Sequence, residues 1–291
     1  MMDRYLVRYF LAVIDHGNFS KAAAACNVAQ PTLSVGIAKL ERDFGTPLFR
    51  RSNRRVELTA AGARLAAPAR AVEASFAQAE NAVRGSAASV PLRIGVLSTI
   101  PAEWVEAIAR RLNDDRPGQL EIVEGREREL HERLRRGRID IALTIIHPGA
   151  DRFESEPLFS EGYSLALSEN HPLARRTTIA AEELAENAMI VRRQCELLSE
   201  TSRHFTERGV RPHFSARTNS DLRAIGYVQA GLGVTVMPDC FQADGMTRPK
   251  LEDFHHTRTL GLAYRSDLDR SQEELARSIA ILSETIDHLI R

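Results

Sequence analysis

Basic, amide and hydroxyl side chains are concentrated between Gln30 and Arg55, where the chain carries Gln30, Thr32, Ser34, Lys39 and Arg42, then Arg50, Arg51, Arg54 and Arg55. Cationic groups neutralise phosphates and short polar groups meet base edges, so this set suits a nucleic-acid duplex. A second, scattered set is Ser98, Thr99, Arg126, Thr144, Arg193, Cys195, Thr218 and Asn219. Its hydroxyls and amide can hydrogen-bond a small ligand, and Arg126, Arg192 or Arg193 can pair with a carboxylate. Each also has a plainer reading: Ser98 and Thr99 as helix caps, the arginines as solvated surface. Cys195 follows Arg192 and Arg193, which favour a thiolate and hence redox chemistry; an inert, half-buried cysteine is the alternative.

Other chemistry finds no residues. There is no Gly-x-Ser-x-Gly elbow, no Walker loop and no His-Glu-x-x-His among the 9 histidines, so neither an enzyme, a metal site nor a cofactor is expected. Gly231-Leu232-Gly233 follows a helical pattern and precedes a strand, the reverse of a dinucleotide fingerprint. Three well-separated cysteines, Cys26, Cys195 and Cys240, form no disulfide framework, which fits a reducing cytoplasm. No apolar run approaches the roughly 20 residues of a membrane span, and the opening residues do not read as a signal peptide.

The elements that must position the first set are short. Leu6, Tyr9, Phe10, Val13 and Ile14 recur at helical spacing over residues 3–16, and Gly17 ends that helix. Ser20 is the expected cap of a second helix, Lys21 to Cys26. Pro31 suits the first turn of a third, on which Leu33, Ile37, Leu40 and Phe44 form one inward face. Pro31, Val35, Ala38, Lys39 and Arg42 lie on the opposite face with Thr32 and Ser34 on its flanks, slim enough to enter a major groove. Leu48 to Leu58 reads as two strands around a polar turn, a wing whose arginines reach phosphates or the minor groove.

A heptad seam of Leu58, Gly62, Leu65, Ala69, Val72, Phe76, Ala79 and Val83 predicts a long helix that pairs two copies, with a kink at Pro68. Residues 85–91 read as a linker. From Leu92 onward strands and helices alternate in βαβ rhythm, with strands expected at 92–97, 120–123, 139–146, 163–167, 189–191, 214–217, 234–237 and 260–264. Helices are expected at 102–113, 127–136, 182–186, 197–208, 221–230 and 269–290. In such sheets ligands sit beyond the carboxyl ends of strands, where the second set of residues falls.

The 291 residues, 43% hydrophobic and 27% charged, suffice for about two domains with sizeable cores. A net charge of zero hides a split, because up to Val90 there are 12 Lys or Arg against 7 Asp or Glu. The front 90 residues form a basic module, and the larger remainder is acidic.

The series Phe10, Gly17 to Ala23, Gln30 to Ser34, Ile37, Leu40-Glu41, Gly45, Leu48-Phe49, Arg51, Leu58-Thr59 and Gly62 resembles the winged helix-turn-helix of the LysR-type transcriptional regulators. Leu92 to Val96, Gly137 to Ala142, His171 to Leu173 and Ala230 to Pro238 resemble the effector domain of the same family. The implied fold is α+β and multidomain: a winged helix-turn-helix over 1–60, a linker helix and hinge over 61–91, and a two-lobed periplasmic-binding-protein-like α/β domain over 92–291. Lobe 1 would comprise about 92–161 and 266–291, and lobe 2 about 162–265.

By resemblance, Gln30, Pro31, Thr32 and Ser34 sit at the groove, with Val35, Lys39, Arg51 and Arg55 in support, and Arg54 reaches the minor groove. Many members have Arg and Gln where this chain has Val35 and Gly36, so base readout here is expected to use fewer hydrogen bonds. The implied partners are double-stranded promoter DNA, a small effector of anionic character in the cleft, further copies as homodimer or homotetramer, and RNA polymerase. In the peroxide-sensing branch a reactive cysteine lies where Cys195 does, and Thr99 and Arg265 fall at matching positions. That branch's second cysteine and the histidine before the first are absent; Gln194 replaces the histidine. Redox sensing at Cys195 is thus one alternative function, and a solute-binding protein or enzyme of the same fold is another.

Overall fold

The computed structural model describes residues 3–51, 56–84, 91–147, 149 and 153–290, with the side chains of 51, 74 and 77–84 excepted. The first unit contains α1 (Arg4–His16), α2 (Phe19–Ala25), α3 (Gln30–Phe44), β1 (Phe49–Arg51), β2 (Val56–Leu58) and α4 (Ala60–Arg84). Leu6, Phe10, Val13 and Ile14 of α1 close over Leu33, Ile37 and Leu40 of α3, with the small Ala22 and Ala23 of α2 between them. The second helix begins two residues before its expected start. Asn18, not Ser20, caps it, its Oδ1 accepting from the amides of Ser20 at 2.8 Å and Lys21 at 3.1 Å.

β1 and β2 pair antiparallel from Phe49 opposite Leu58 to Arg51 opposite Val56. Glu41 fixes the entry to this hairpin, its Oε1 accepting from the amides of Leu48 at 2.8 Å and Phe49 at 3.1 Å. At the exit, the Thr59 hydroxyl donates to the Pro47 carbonyl at 2.7 Å and accepts from the Gly62 amide at 3.0 Å. A Cβ at Gly62 would come within 2.2 Å of the Leu48 carbonyl oxygen, so only glycine lets α4 start there. α4 continues as helix on both sides of Pro68, which is exposed. Ala66 and Ala69 bury against the α1 core, while Phe76 on the expected seam is 43% exposed.

The second unit begins with β3 (Leu92–Leu97), α5 (Ala102–Asp115), β4 (Leu120–Gly125), α6 (Glu127–Arg135) and β5 (Ile141–Ile145). These form βαβ crossovers, with β3 parallel to both β4 and β5. The strand expected at 163–167 is the far half of β6 (Ser155–Ser168), 14 residues long, which runs out of lobe 1 into lobe 2. Lobe 2 continues with β7 (Thr178–Ile179), β8 (Ala188–Arg192), α7 (Leu198–Glu207), β9 (His213–Thr218), α8 (Asp221–Gln229), β10 (Thr235–Pro238), β11 (Met246–Thr247) and β12 (Lys250–Leu251). The helix expected near 182–186 is a single tight 3₁₀ turn, Ala181–Leu184.

β13 (Thr257–Tyr264) carries the chain back, and α9 (Glu273–Leu289) closes lobe 1 by packing on α5. The return therefore comes at Thr257, ahead of the expected Arg265, because Leu260 to Tyr264 already pair with β5. One seven-stranded sheet, in the order β10-β6-β13-β5-β3-β4 with β11 added on β6, runs through both lobes.

Candidate nucleic-acid interface and inter-lobe cleft

α3 separates its two faces sharply. Leu33, Ile37 and Leu40 are wholly buried, but Phe44, expected on the same inward face, is 44% exposed at the helix end; Gln30, Pro31, Thr32, Val35 and Lys39 are exposed and Ser34 is partly so. Val35 is 65% exposed, so an apolar contact surface stands among polar neighbours at the helix tip. Gly36 is buried instead. A Cβ there would meet the Tyr9 ring at 2.7 Å, so its lack of a side chain serves the packing of α3 on α1 and removes nothing from the groove face. The consequence expected from the Val35-Gly36 departure is thereby confined to Val35. β1 holds Arg50 exposed beside this face and includes Arg51; Arg54 and Arg55 lie outside the described residues.

In the larger unit an unanticipated residue, Arg258 on β13, organises the space between the lobes. It is 4% exposed. Its Nη1 donates to Thr99 Oγ1 at 2.9 Å, and its Nη2 to the Thr99 carbonyl at 3.1 Å. It also donates through Nη2 to Glu161 Oε1 at 2.7 Å and through Nη1 to Glu196 Oε1 at 2.5 Å. Tyr163 OH donates to the same Glu196 oxygen at 2.7 Å, and the Cys240 amide to Glu161 Oε2 at 2.6 Å.

Burial alone would lower the Arg258 pKa, but Glu196 and Glu161 outweigh it and hold the guanidinium charged. Burial likewise opposes ionisation of Glu196, yet Arg258 keeps that carboxyl below the usual range. The network ties the lobe 1 loop at Thr99 to the lobe 2 segment at Glu196. Two further bonds cross the gap: Gln194 Nε2 donates to the Ser98 carbonyl at 3.2 Å, and Arg126 Nη2 to the Arg193 carbonyl at 3.1 Å.

The expected ligand residues are only partly brought together. Ser98 and Asn219 face one inter-lobe cavity of about 220 Å³, with Gln194 and the carboxylates of Glu103 and Glu124. The Ser98 hydroxyl has no hydrogen-bond partner there. Arg193, Thr218 and Asn219 line an adjoining recess of about 430 Å³ with Arg217, Arg223 and Tyr227. Thr99 is 1% exposed and committed to Arg258, and Thr144 lies wholly inside β5, so neither offers an open surface.

Arg192 is 2% exposed and makes a bidentate pair with Asp221, at 2.6 and 2.7 Å. It holds the N-terminal turn of α8 in place and is not available to a ligand. Arg265 pairs with Asp140 and Asp267, so the arginine that meets Thr99 is Arg258. Arg258, Glu161, Tyr163 and Glu196 were missed; the signal is a charge at an inward position of an otherwise apolar strand, Thr257 to Tyr264.

Cys195 faces neither the cleft cavity nor the recess but a separate cavity inside lobe 2. Burial pushes its thiol up, and Arg192 offsets this only in part. The Cys240 thiol is pushed up by burial and by Glu161. Elsewhere the two units touch: Arg138 donates to the Ile14 carbonyl at the end of α1, and Arg70 of α4 reaches both Asp15 and, at 3.0 Å, the Arg136 carbonyl.

Comparison with known proteins follows the same division. Residues 5–63 match the bacterial regulatory helix-turn-helix protein model of the lysR family, and residues 86–281 match the LysR substrate binding domain. The chain is a LysR-type transcriptional regulator. The regulator is 31% identical over 286 residues to the DNA-binding transcriptional dual regulator OxyR of Escherichia coli K12, spanning 94% of this chain and 93% of that one. It is 31% identical over 297 residues to a probable hydrogen peroxide-inducible genes activator of Mycobacterium avium, covering 98% and 95%.

A full-length OxyR cysteine variant from Pseudomonas aeruginosa has the same fold, with a TM-score of 0.66 and 23% identity over 98% of this chain and 95% of that one. The regulator thus joins a DNA-binding domain to an effector-binding domain, and its relatives are transcriptional regulators, not enzymes. No helix among the described residues is long and apolar enough to cross a membrane.

Proposed function

We propose that the regulator binds promoter DNA as a homodimer or a homotetramer, and that a small effector in the cleft changes how the paired α3 helices are held. The observation that carries this reading is the sorting of α3: Gln30, Pro31, Thr32 and Val35 are exposed while Leu33, Ile37 and Leu40 are buried, and the following strand β1 carries the exposed Arg50. Gln30, Thr32 and Ser34 read base edges, Val35 meets thymine methyls, and Lys39, Arg51, Arg54 and Arg55 neutralise phosphates or enter the minor groove. RNA polymerase is the further partner of the bound complex.

The effector sits between Ser98 and Asn219 and reaches Arg193 and Arg223, whose guanidiniums have no ion pair among the described residues. An anionic group belongs at these arginines, because Glu103 and Glu124 repel it from the inner cavity. Binding biases the Gln194–Ser98 and Arg126–Arg193 contacts, and the contacts of Arg138 with the Ile14 carbonyl and of Arg70 with the Arg136 carbonyl carry the change to the DNA-binding unit. Selection from a random duplex pool, followed by footprinting with candidate metabolites, tests this. A single enriched motif whose footprint changes with one metabolite is expected, and recovery of random sequence under moderate salt contradicts it.

A second reading, peroxide sensing at Cys195, is favoured by the names of the relatives. Against it stand the raised thiol and the commitment of Arg192 to Asp221, which leave Cys195 poorly placed to ionise. Mass spectrometry after brief treatment with equimolar hydrogen peroxide is expected to find Cys195 unmodified. Its oxidation, accompanied by altered DNA binding, would reverse the ranking of the two readings.

A further inference from the structure

The cavity that Cys195 faces shares no lining residue with the inter-lobe cavity and meets the adjoining recess only at Arg217. It encloses about 480 Å³ between α7 and the β8–β9 pair, within lobe 2 alone. That is the volume of a site for a drug-sized molecule. Met189, Val191, Phe205, Val210 and Val236 make its wall apolar. Two features are unusual for a mere packing defect. The Thr201 hydroxyl, from α7, is buried at this wall without a hydrogen-bond partner among the described residues, so the protein's own packing leaves the wall incompletely satisfied. At the rim stand Arg211 and Arg217, both exposed and neither in an ion pair among the described residues.

We infer that this chamber is a second ligand site and that it takes an amphipathic monocarboxylate, with its hydrocarbon body among the apolar wall residues and its carboxylate at Arg211 and Arg217. The charge pattern selects this class. A neutral hydrocarbon leaves Arg211 and Arg217 without a counter-charge, Arg217 meeting only the Phe214 ring face, and a polyanion cannot enter the apolar wall. The site also has a route to the cleft. Cys195 lines the chamber, and the next residue, Glu196, holds both Arg258 and Tyr163 at the lobe junction. An occupant that displaces residues 195–198 thus acts on the contact that sets the lobes relative to each other. The inference goes beyond the cleft effector and does not need it.

The full-length protein titrated with decanoate, below its micelle concentration, provides the test, read by calorimetry and by hydrogen exchange. Saturable binding is expected, with slower exchange in α7 and β8–β9 that exceeds any change in the loops at 97–101 and 219–222. Arg211→Gln, an exposed rim change, is expected to weaken decanoate at least tenfold while leaving 1-decanol nearly unaffected, and Leu198→Trp at the mouth is expected to weaken both. No saturable binding up to millimolar decanoate overturns the inference, as does equal affinity for the acid and the alcohol. Protection confined to the cleft loops overturns it while leaving the cleft reading intact. Protection of α7 that depends on protein concentration and not on decanoate assigns the chamber mouth to a second copy of the chain, and also overturns it.

Discussion

The proposed groove-reading surface and the cleft both depend on a handful of polar side chains, but they assemble them from very different distances along the chain. The first comes from one stretch, Gln30 to Leu58, in which Glu41 is seven and eight residues from the amides it holds. The second needs Thr99, Glu161, Tyr163, Glu196, Cys240 and Arg258, and its widest bond, Arg258 to Thr99, spans 159 residues. A local site is stable when its short elements are capped and packed. A long-range site is stable only when buried charges from separate segments meet and cancel.

That contrast predicts unequal consequences of single changes. The largest belongs to Arg258→Met, which leaves Glu161 and Glu196 buried without a counter-charge and is expected to cost about 3–5 kcal/mol. Denaturant unfolding checks it, and the loss should fall on the effector domain while DNA-domain helicity persists. A loss below about 1 kcal/mol would mean that the triad is solvated and does not pin the lobes.

Next comes Gly62→Ala in the local region. Its new Cβ collides with the Leu48 backbone, which is less able to yield than a side chain, and a cost of about 1–3 kcal/mol is expected. Here the effect should appear as lost DNA binding with an unchanged effector-domain transition, the mirror image of the Arg258 result.

The smallest is a pH effect that sharpens the comparison. Glu196 has a lowered pKa in the folded protein. Its contribution is therefore complete above the unfolded value of about 4.3 and fades as pH falls below it through the folded value. The stability gap between wild type and Glu196→Gln should be constant from pH 7 to pH 5 and narrow below pH 4. A gap that widened on acidification would reverse the assigned sign.

The same contrast explains what the sequence discloses. Helix periods, Gly17, the Leu-Thr-x-x-Gly element and the wing are readable because each is satisfied within a few residues of itself. Even there the cap is Asn18 and not Ser20, because Asn18 holds the extended backbone of a cap while Ser20 already lies inside the helix. Gly36 looked like a lost base contact and is a close approach of α3 to α1. In the effector domain the alternation of strands and helices was legible, but β6 and β13 as continuous crossings were not, because a strand running between lobes has no local mark. Thr99 and Arg192 were recognisable as polar residues at strand ends. Their partners, Arg258 and Asp221, are chosen by the fold.

The central claim is that α3 reads bases while the wing grips phosphates. Affinity across a panel of single-base operator variants, measured at several salt concentrations for Gln30→Ala and Arg54→Ala, tests it most directly. Gln30→Ala should erase about 1–3 kcal/mol of discrimination at one or two base pairs and leave the salt slope unchanged. Arg54→Ala should weaken all duplexes together and reduce the slope by about 1. Equal, sequence-independent losses from both substitutions would contradict the account.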